Sequence, residues 1–149
     1  MTELSTLPIK MRNQPPRHGW MGVTLTLGAQ VVEIDASDVP NNPVADLLDA
    51  LDLAAHGLPS RVWWHLEPDG YFMYFIPDGD QVHFRIDFAP DSEAARAHTV
   101  AQGTGSRAHV LLPFWRFVRN FQAGAYTEPH WPPTDFSRID VVEARIKQA

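Results

Sequence analysis

Between Arg61 and Phe88 the chain reads RVWWHLEPDGYFMYFIPDGDQVHFRIDF, three strand-like runs parted by two Pro-Asp-Gly turns. Asp-Gly between alternating apolar runs is a strong hairpin signal, because a tight primed turn needs positive φ at its central residues. Placing Asp69-Gly70 and Asp78-Gly79 at the turn centres predicts a three-stranded meander with Trp64 opposite Phe75 and Phe75 opposite Val82. Side chains alternate across a strand, so the meander sorts into two faces. Val62, Trp64, Leu66, Tyr71, Met73, Phe75, Val82, Phe84, Ile86 and Phe88 share one face, which is expected to be core. The other face carries Trp63, His65, Glu67, Phe72, Tyr74, Ile76, Gln81, His83, Arg85 and Asp87, in the rows Trp63–Ile76–Gln81, His65–Tyr74–His83 and Glu67–Phe72–Arg85.

That second face is half aromatic, whereas the solvent side of an antiparallel sheet is normally polar. Two readings follow. Either other segments or a second subunit cover it, or it is an interaction surface anchored by aromatic and arginine side chains.

The flanking segments extend the pattern. Val23–Leu27 and Gln30–Asp35 alternate about Gly28-Ala29, pairing Leu25 with Val32 and Val23 with Ile34. Asn42 and Pro43 open a helix that buries Val44, Leu47, Leu48, Leu51 and Ala55, and Gly57 ends it. Asp46, Asp49 and Asp52 fall on its outward positions. A short helix over Glu93–His98 and a flexible loop at Gly103–Ser106 are expected next. Pro113 is read as the start of a helix ending near Ala123, with Phe114, Phe117, Val118 and Phe121 inward. Tyr126–Pro133 reads as a rigid crossing with Trp131 as a core plug, and Asp135 opens a last helix burying Phe136, Ile139, Val142 and Ile146. The fold class is therefore α+β, an antiparallel sheet of about five strands with helices packed on one face. Residues 1–19, polar and rich in proline, are read as a flexible leader and residues 20–149 as a single domain.

Composition narrows the function. With 44% hydrophobic residues the chain of 149 can fill a core, and with no cysteine it lacks thiolate metal sites and thiol nucleophiles. No run approaches the about 18 apolar residues of a membrane span, and no secretory leader is evident, so a cytoplasmic protein is expected. The formal charge is −6, and from Trp20 to Asp80 ten acids face one base, Arg61. Such a balance argues against nucleic acid and suits a basic protein partner.

Chemistry is sparse. His65 and His83, two strands apart in the expected register, stand roughly 10 Å from each other, too far for one zinc ion. There is no HExxH, nucleophile-elbow or phosphate-loop motif, so neither metal nor cofactor is expected. Glu128, His130 and Trp131 could line a cleft, which would need Arg85 or Arg116 nearby to act as a small-molecule or hydrolase site.

The order of hairpin, leucine-rich helix, meander VWWHLEPDGYFMYFIPDGDQVHFRI, aromatic helix FWRFVRNF and tail W-P-P-x-x-F-x-x-I resembles small bacterial proteins of unknown function. Some of these are similar to immunity proteins of contact-dependent and secreted toxin systems. The resemblance implies a non-enzymatic inhibitor that binds a cognate toxin stoichiometrically, without cofactor. The resemblance assigns no binding residues; the aromatic sheet face and the acidic helix give the expected partner surface as Trp63, His65, Glu67, Phe72, Tyr74, His83, Arg85 and Asp87, with Asp46 and Asp49 steering a basic partner. The alternatives are the cleft of Glu128, His130 and Trp131, and a homodimer joined through the aromatic sheet face.

Overall fold

The computed structural model describes residues 8–148. Seven strands and three helices follow in the order β1 (Ile9–Asn13), β2 (Trp20–Leu27), β3 (Gln30–Ser37), α1 (Pro43–Ala55), β4 (Ser60–His65), β5 (Gly70–Asp78), β6 (Gln81–Ala89), β7 (His98–Ser106), α2 (Arg107–Ala123) and α3 (Ile139–Lys147). The class is α+β, as expected, but the strands form two antiparallel sheets, β1-β2-β3 and β4-β5-β6-β7, rather than one of five.

Both additional strands lie where the sequence suggested irregular chain. Ile9 and Met11 turn inward while Lys10 and Arg12 turn out, and the strand they form pairs with β2. The expected leader over residues 1–19 is thus ordered sheet over Ile9–Asn13; its first seven residues lie outside the described ones. The expected helix over Glu93–His98 shrinks to a single 3-10 turn, Ala94–Arg96, and the expected Gly103–Ser106 loop is the end of β7. Gly103 and Gly105 are buried there, opposite Phe84 and Val82. A Cβ on Gly105 would stand 3.1 Å from His109 and 3.4 Å from Val110. Gly105 therefore lets the start of α2 lie close on the strand. That helix begins at Arg107, well before Pro113, with the Ser106 hydroxyl accepting from the His109 amide at 3.2 Å.

The β2–β3 hairpin has the expected register, Leu25 opposite Val32 and Val23 opposite Ile34. In the meander the register differs: Trp64 lies opposite Tyr71 and Phe75 opposite Phe84. The β4–β5 connection is a four-residue loop, Leu66–Asp69, closed by the Leu66 amide on the Asp69 carbonyl at 2.7 Å, not a two-residue turn at Asp69-Gly70. The β5–β6 turn centres on Gly79-Asp80, with Gly79 at φ +63°. Both displacements are by even numbers of residues, so every side chain keeps its expected face.

The core lies between the inner sheet faces and the helices. Phe114 of α2 meets Phe75 at 5.0 Å and Phe84 at 4.8 Å, ring centre to ring centre, and Phe117 meets Trp64 at 6.2 Å. Trp131 is fully buried, as expected of a plug, and its indole donates to the Asn42 side chain at 3.2 Å. Helix α3 packs on α1 and α2 rather than on a sheet. It buries Ile139, Val142 and Ile146. No helix among the described residues is long and apolar enough to cross a membrane.

Candidate functional site: the outer face of the four-stranded sheet

Helices α1 and α2 pack on the inner face of β4–β7, and among the described residues no helix lies on the outer one. The alternation that buries Val62, Trp64, Met73 and Phe75 sends Arg61, Trp63, Phe72 and Tyr74 outward. The register makes two rows, Arg61–Tyr74–Arg85–Gln102 and Trp63–Phe72–Asp87. Ile76 pairs with His83, which pairs with Thr104.

These rows replace the expected ones. His83 binds the Thr104 hydroxyl at 2.8 Å through Nδ1, while His65 lies at the other end of the sheet, opposite Gly70. Glu67 is exposed in the β4–β5 loop rather than in a row with Phe72 and Arg85.

Each ring in the face has a defined support. The Trp63 ring lies over Gly70, where a side chain would collide with it, and stacks tilted on Phe72 at 4.6 Å and on His65 at 5.7 Å. Phe72 is thereby 2% exposed although it points away from the core. Arginines cover the remaining ring faces, Arg61 over Phe72 at 4.8 Å and Arg85 over Tyr74 at 4.3 Å. Arg85 Nε also donates to both carboxylate oxygens of Asp87 at 3.1 Å, and the Thr99 hydroxyl donates to the same group at 2.8 Å. Asp87 is therefore a buried, fully engaged strut and not a free charge. The result is a preformed aromatic surface braced by its own contacts.

The acids of α1 are spent within the fold. Asp46 accepts from the Asn41 amide at 2.8 Å. Asp49 is paired with Arg138, and Asp52 accepts from Arg138 at 2.9 Å and from Arg145 at 2.8 Å. The bond to Asp49 is the main reason that the Arg138 guanidinium holds its proton above the ordinary arginine value. Exposed acids remain around the aromatic sheet instead, Glu67 at one end of β5 and Asp78 and Asp80 at the other, none in an ion pair among the described residues. Arg61 belongs to the site but was not among the expected residues. Its two-residue spacing from Trp63 was the signal that would have placed it on this face.

The alternative cleft is not assembled from the expected groups. His130 lines a shallow hollow of about 410 Å³ with Gln14, Pro15, Pro16, Arg17 and His18. Glu128, Trp131, Arg85 and Arg116 are not among its walls. The His130 Nδ1 accepts from the His18 backbone amide at 3.2 Å, which ties the crossing to the β1–β2 connection. Among the described residues, no three acidic or histidine side chains gather as a metal-binding group. Compared with known proteins, the chain matches no family model, no curated protein and no solved structure.

Proposed function

We propose that the protein is a non-enzymatic binding module that docks the outer face of its four-stranded sheet onto a protein partner and occludes the surface it covers. The observation that carries this reading is a partly exposed aromatic face, Trp63 and Tyr74 over the buried Phe72, that no helix among the described residues covers. Aromatic and arginine side chains that are already ordered lose little freedom on association, which favours them as anchors. Glu67, Asp78 and Asp80 give the site an acidic rim, so a partner with a basic margin fits, and rim charges of this kind act chiefly on the rate of encounter. The resemblance to immunity proteins supports the same mode of action, stoichiometric occlusion without chemistry.

Affinity capture from native-host lysate with the wild-type protein and with a Trp63→Ala/Tyr74→Ala variant tests the reading. A partner that the wild type retains one-to-one, again when purified, and that the variant loses while it still unfolds in one cooperative transition, supports it. Equal retention by both proteins refutes it.

A further inference from the structure

A second surface stands apart from the aromatic face, and its chemistry is opposite. Strand β1 is the edge of the three-stranded sheet, hydrogen-bonded to β2 alone. The Gly28 amide bonds the Pro8 carbonyl at 3.0 Å and the Gln14 amide bonds the Gly22 carbonyl at 2.8 Å. With the register Ile9↔Leu27 to Asn13↔Val23, these bonds fix which residues turn their backbone groups toward β2. In an antiparallel ladder the alternate residues point the other way. The N–H and C=O groups of Ile9, Met11 and Asn13 therefore face the other edge, where no strand lies among the described residues.

That edge is open. A groove of about 330 Å³ is walled by four consecutive strand residues, Ile9 to Arg12, and across from them by Pro113, Arg116 and Asn120 of α2. A contiguous hollow of about 450 Å³ continues it past Pro8 and Leu112. Lys10, Arg12 and Arg116 line this furrow, and none of them has an ion pair among the described residues, in a chain whose formal charge is −6.

We infer that the β1 edge is a strand-addition site for an extended acidic segment of another protein. A strand laid at the usual ladder spacing of about 4.8 Å would pair its backbone with Ile9, Met11 and Asn13. Its alternate side chains would then fall into two sets. Those on the outer side meet Lys10 and Arg12, where carboxylates are favoured. Those on the inner side meet Leu112 and Pro113, where small apolar groups fit. The recognised sequence therefore alternates acidic and small apolar residues. A second copy of the chain is a poor occupant, because antiparallel β1–β1 pairing brings Lys10 and Arg12 against their own like charges.

The test uses the full-length protein and labelled ten-residue peptides read by fluorescence anisotropy. One alternates glutamate with valine, one alternates lysine with valine, and two copies of the first carry backbone N-methyl groups on every valine or on every glutamate. The glutamate peptide should bind and the lysine peptide should not. One of the two methylated peptides should lose at least about tenfold in affinity, because one edge of an added strand must donate to β1. The variant Lys10→Glu/Arg116→Glu should lose a similar factor, and the melting curve of this surface variant shows that it folds. The inference is overturned by equal binding of glutamate and lysine peptides, by both methylated peptides binding as well as the parent, or by a β1-linked dimer in light scattering.

Discussion

Asn42 joins three parts of the molecule through one side chain, and its replacement is the most informative perturbation of the fold. The Asn42 Oδ1 accepts from the Val44 and Ala45 amides at 3.1 and 3.3 Å, capping α1, and from the Trp131 indole at 3.2 Å. Its Nδ2 donates to the Thr134 hydroxyl at 3.0 Å. Asn42→Ala removes the cap, worth about 1 kcal/mol. It also leaves the indole N–H of a fully buried tryptophan without an acceptor, which costs about 1–3 kcal/mol. Three donors share one oxygen, so the separate figures overlap, and a total of about 3 kcal/mol is expected. For a domain of this size that lowers the melting temperature by about 6–12 °C. Asn42→Asp keeps the shared acceptor, adds a favourable charge at the helix N-terminus and loses only the donation to Thr134, so it should stay within about 1 kcal/mol of wild type. Urea unfolding followed by tryptophan fluorescence and far-ultraviolet circular dichroism reads both. In a Trp131→Phe background, which has no indole donor, Asn42→Ala should cost at least about 1 kcal/mol less than in wild type. Equal losses for the alanine and aspartate variants, or no coupling to Trp131, would refute the argument.

Three further outcomes follow from the sheet. Phe72→Ala should cost about 3–5 kcal/mol because the ring is buried, whereas Trp63→Ala, which loses a stack but no hydrogen bond, should cost only about 1–2 kcal/mol in the same urea assay. Gly70→Ala would drive a methyl group into the Trp64 carbonyl oxygen and the Trp63 ring, so a loss of about 1–3 kcal/mol and a shifted tryptophan emission are expected. Burial, with the Asp69 carboxylate second, raises the Tyr71 phenol above its usual 10.0. The folded chain then keeps that proton to higher pH than the unfolded chain, so this contribution is complete below the unfolded value and is lost as pH rises through the folded one. Ultraviolet titration should show a late-ionising tyrosine step, and Tyr71→Phe should remove it.

The legibility of this fold varied with the side chains that carried the signal. The β2–β3 register could be read because Gly28-Ala29 forms the whole turn, leaving no freedom in the pairing. In the meander the faces could be read and the partners could not. Alternation fixes a face by parity alone, while the partner depends on loop length, which the Leu66–Asp69 loop sets through its own hydrogen bonds. Strand β7 was hidden for a different reason. Two of its inward positions, Gly103 and Gly105, carry no side chain, and α2 lies against Gly105, so the apolar alternation that betrays a strand is lost there. Helix α2 was shortened in the reading because Pro113 favours a first turn but is tolerated here inside the helix. The aromatic face was found from sequence, its rows and Arg61 were not.

Charge shows why a surface cannot be taken from a segment. The stretch Trp20–Asp80 is acidic along the chain, yet Asp49 and Asp52 of α1 meet Arg138 and Arg145, 86 to 93 positions later. Those pairs hold α3 against α1 and leave little field for a partner, since exposed pairs neutralise one another at a gain of only about 0–1 kcal/mol each. Among the charges outside ion pairs in the described residues are Glu67, Asp78 and Asp80 about the aromatic sheet, and Lys10, Arg12 and Arg116 along the β1 edge. The two sets share no residue and have opposite sign, so they respond to different reversals. Lys10→Glu/Arg116→Glu should abolish binding of the glutamate peptide and leave a partner of the aromatic face in place, and Trp63→Ala/Tyr74→Ala should do the converse. Loss of both activities in either variant would refute the independence of the two surfaces.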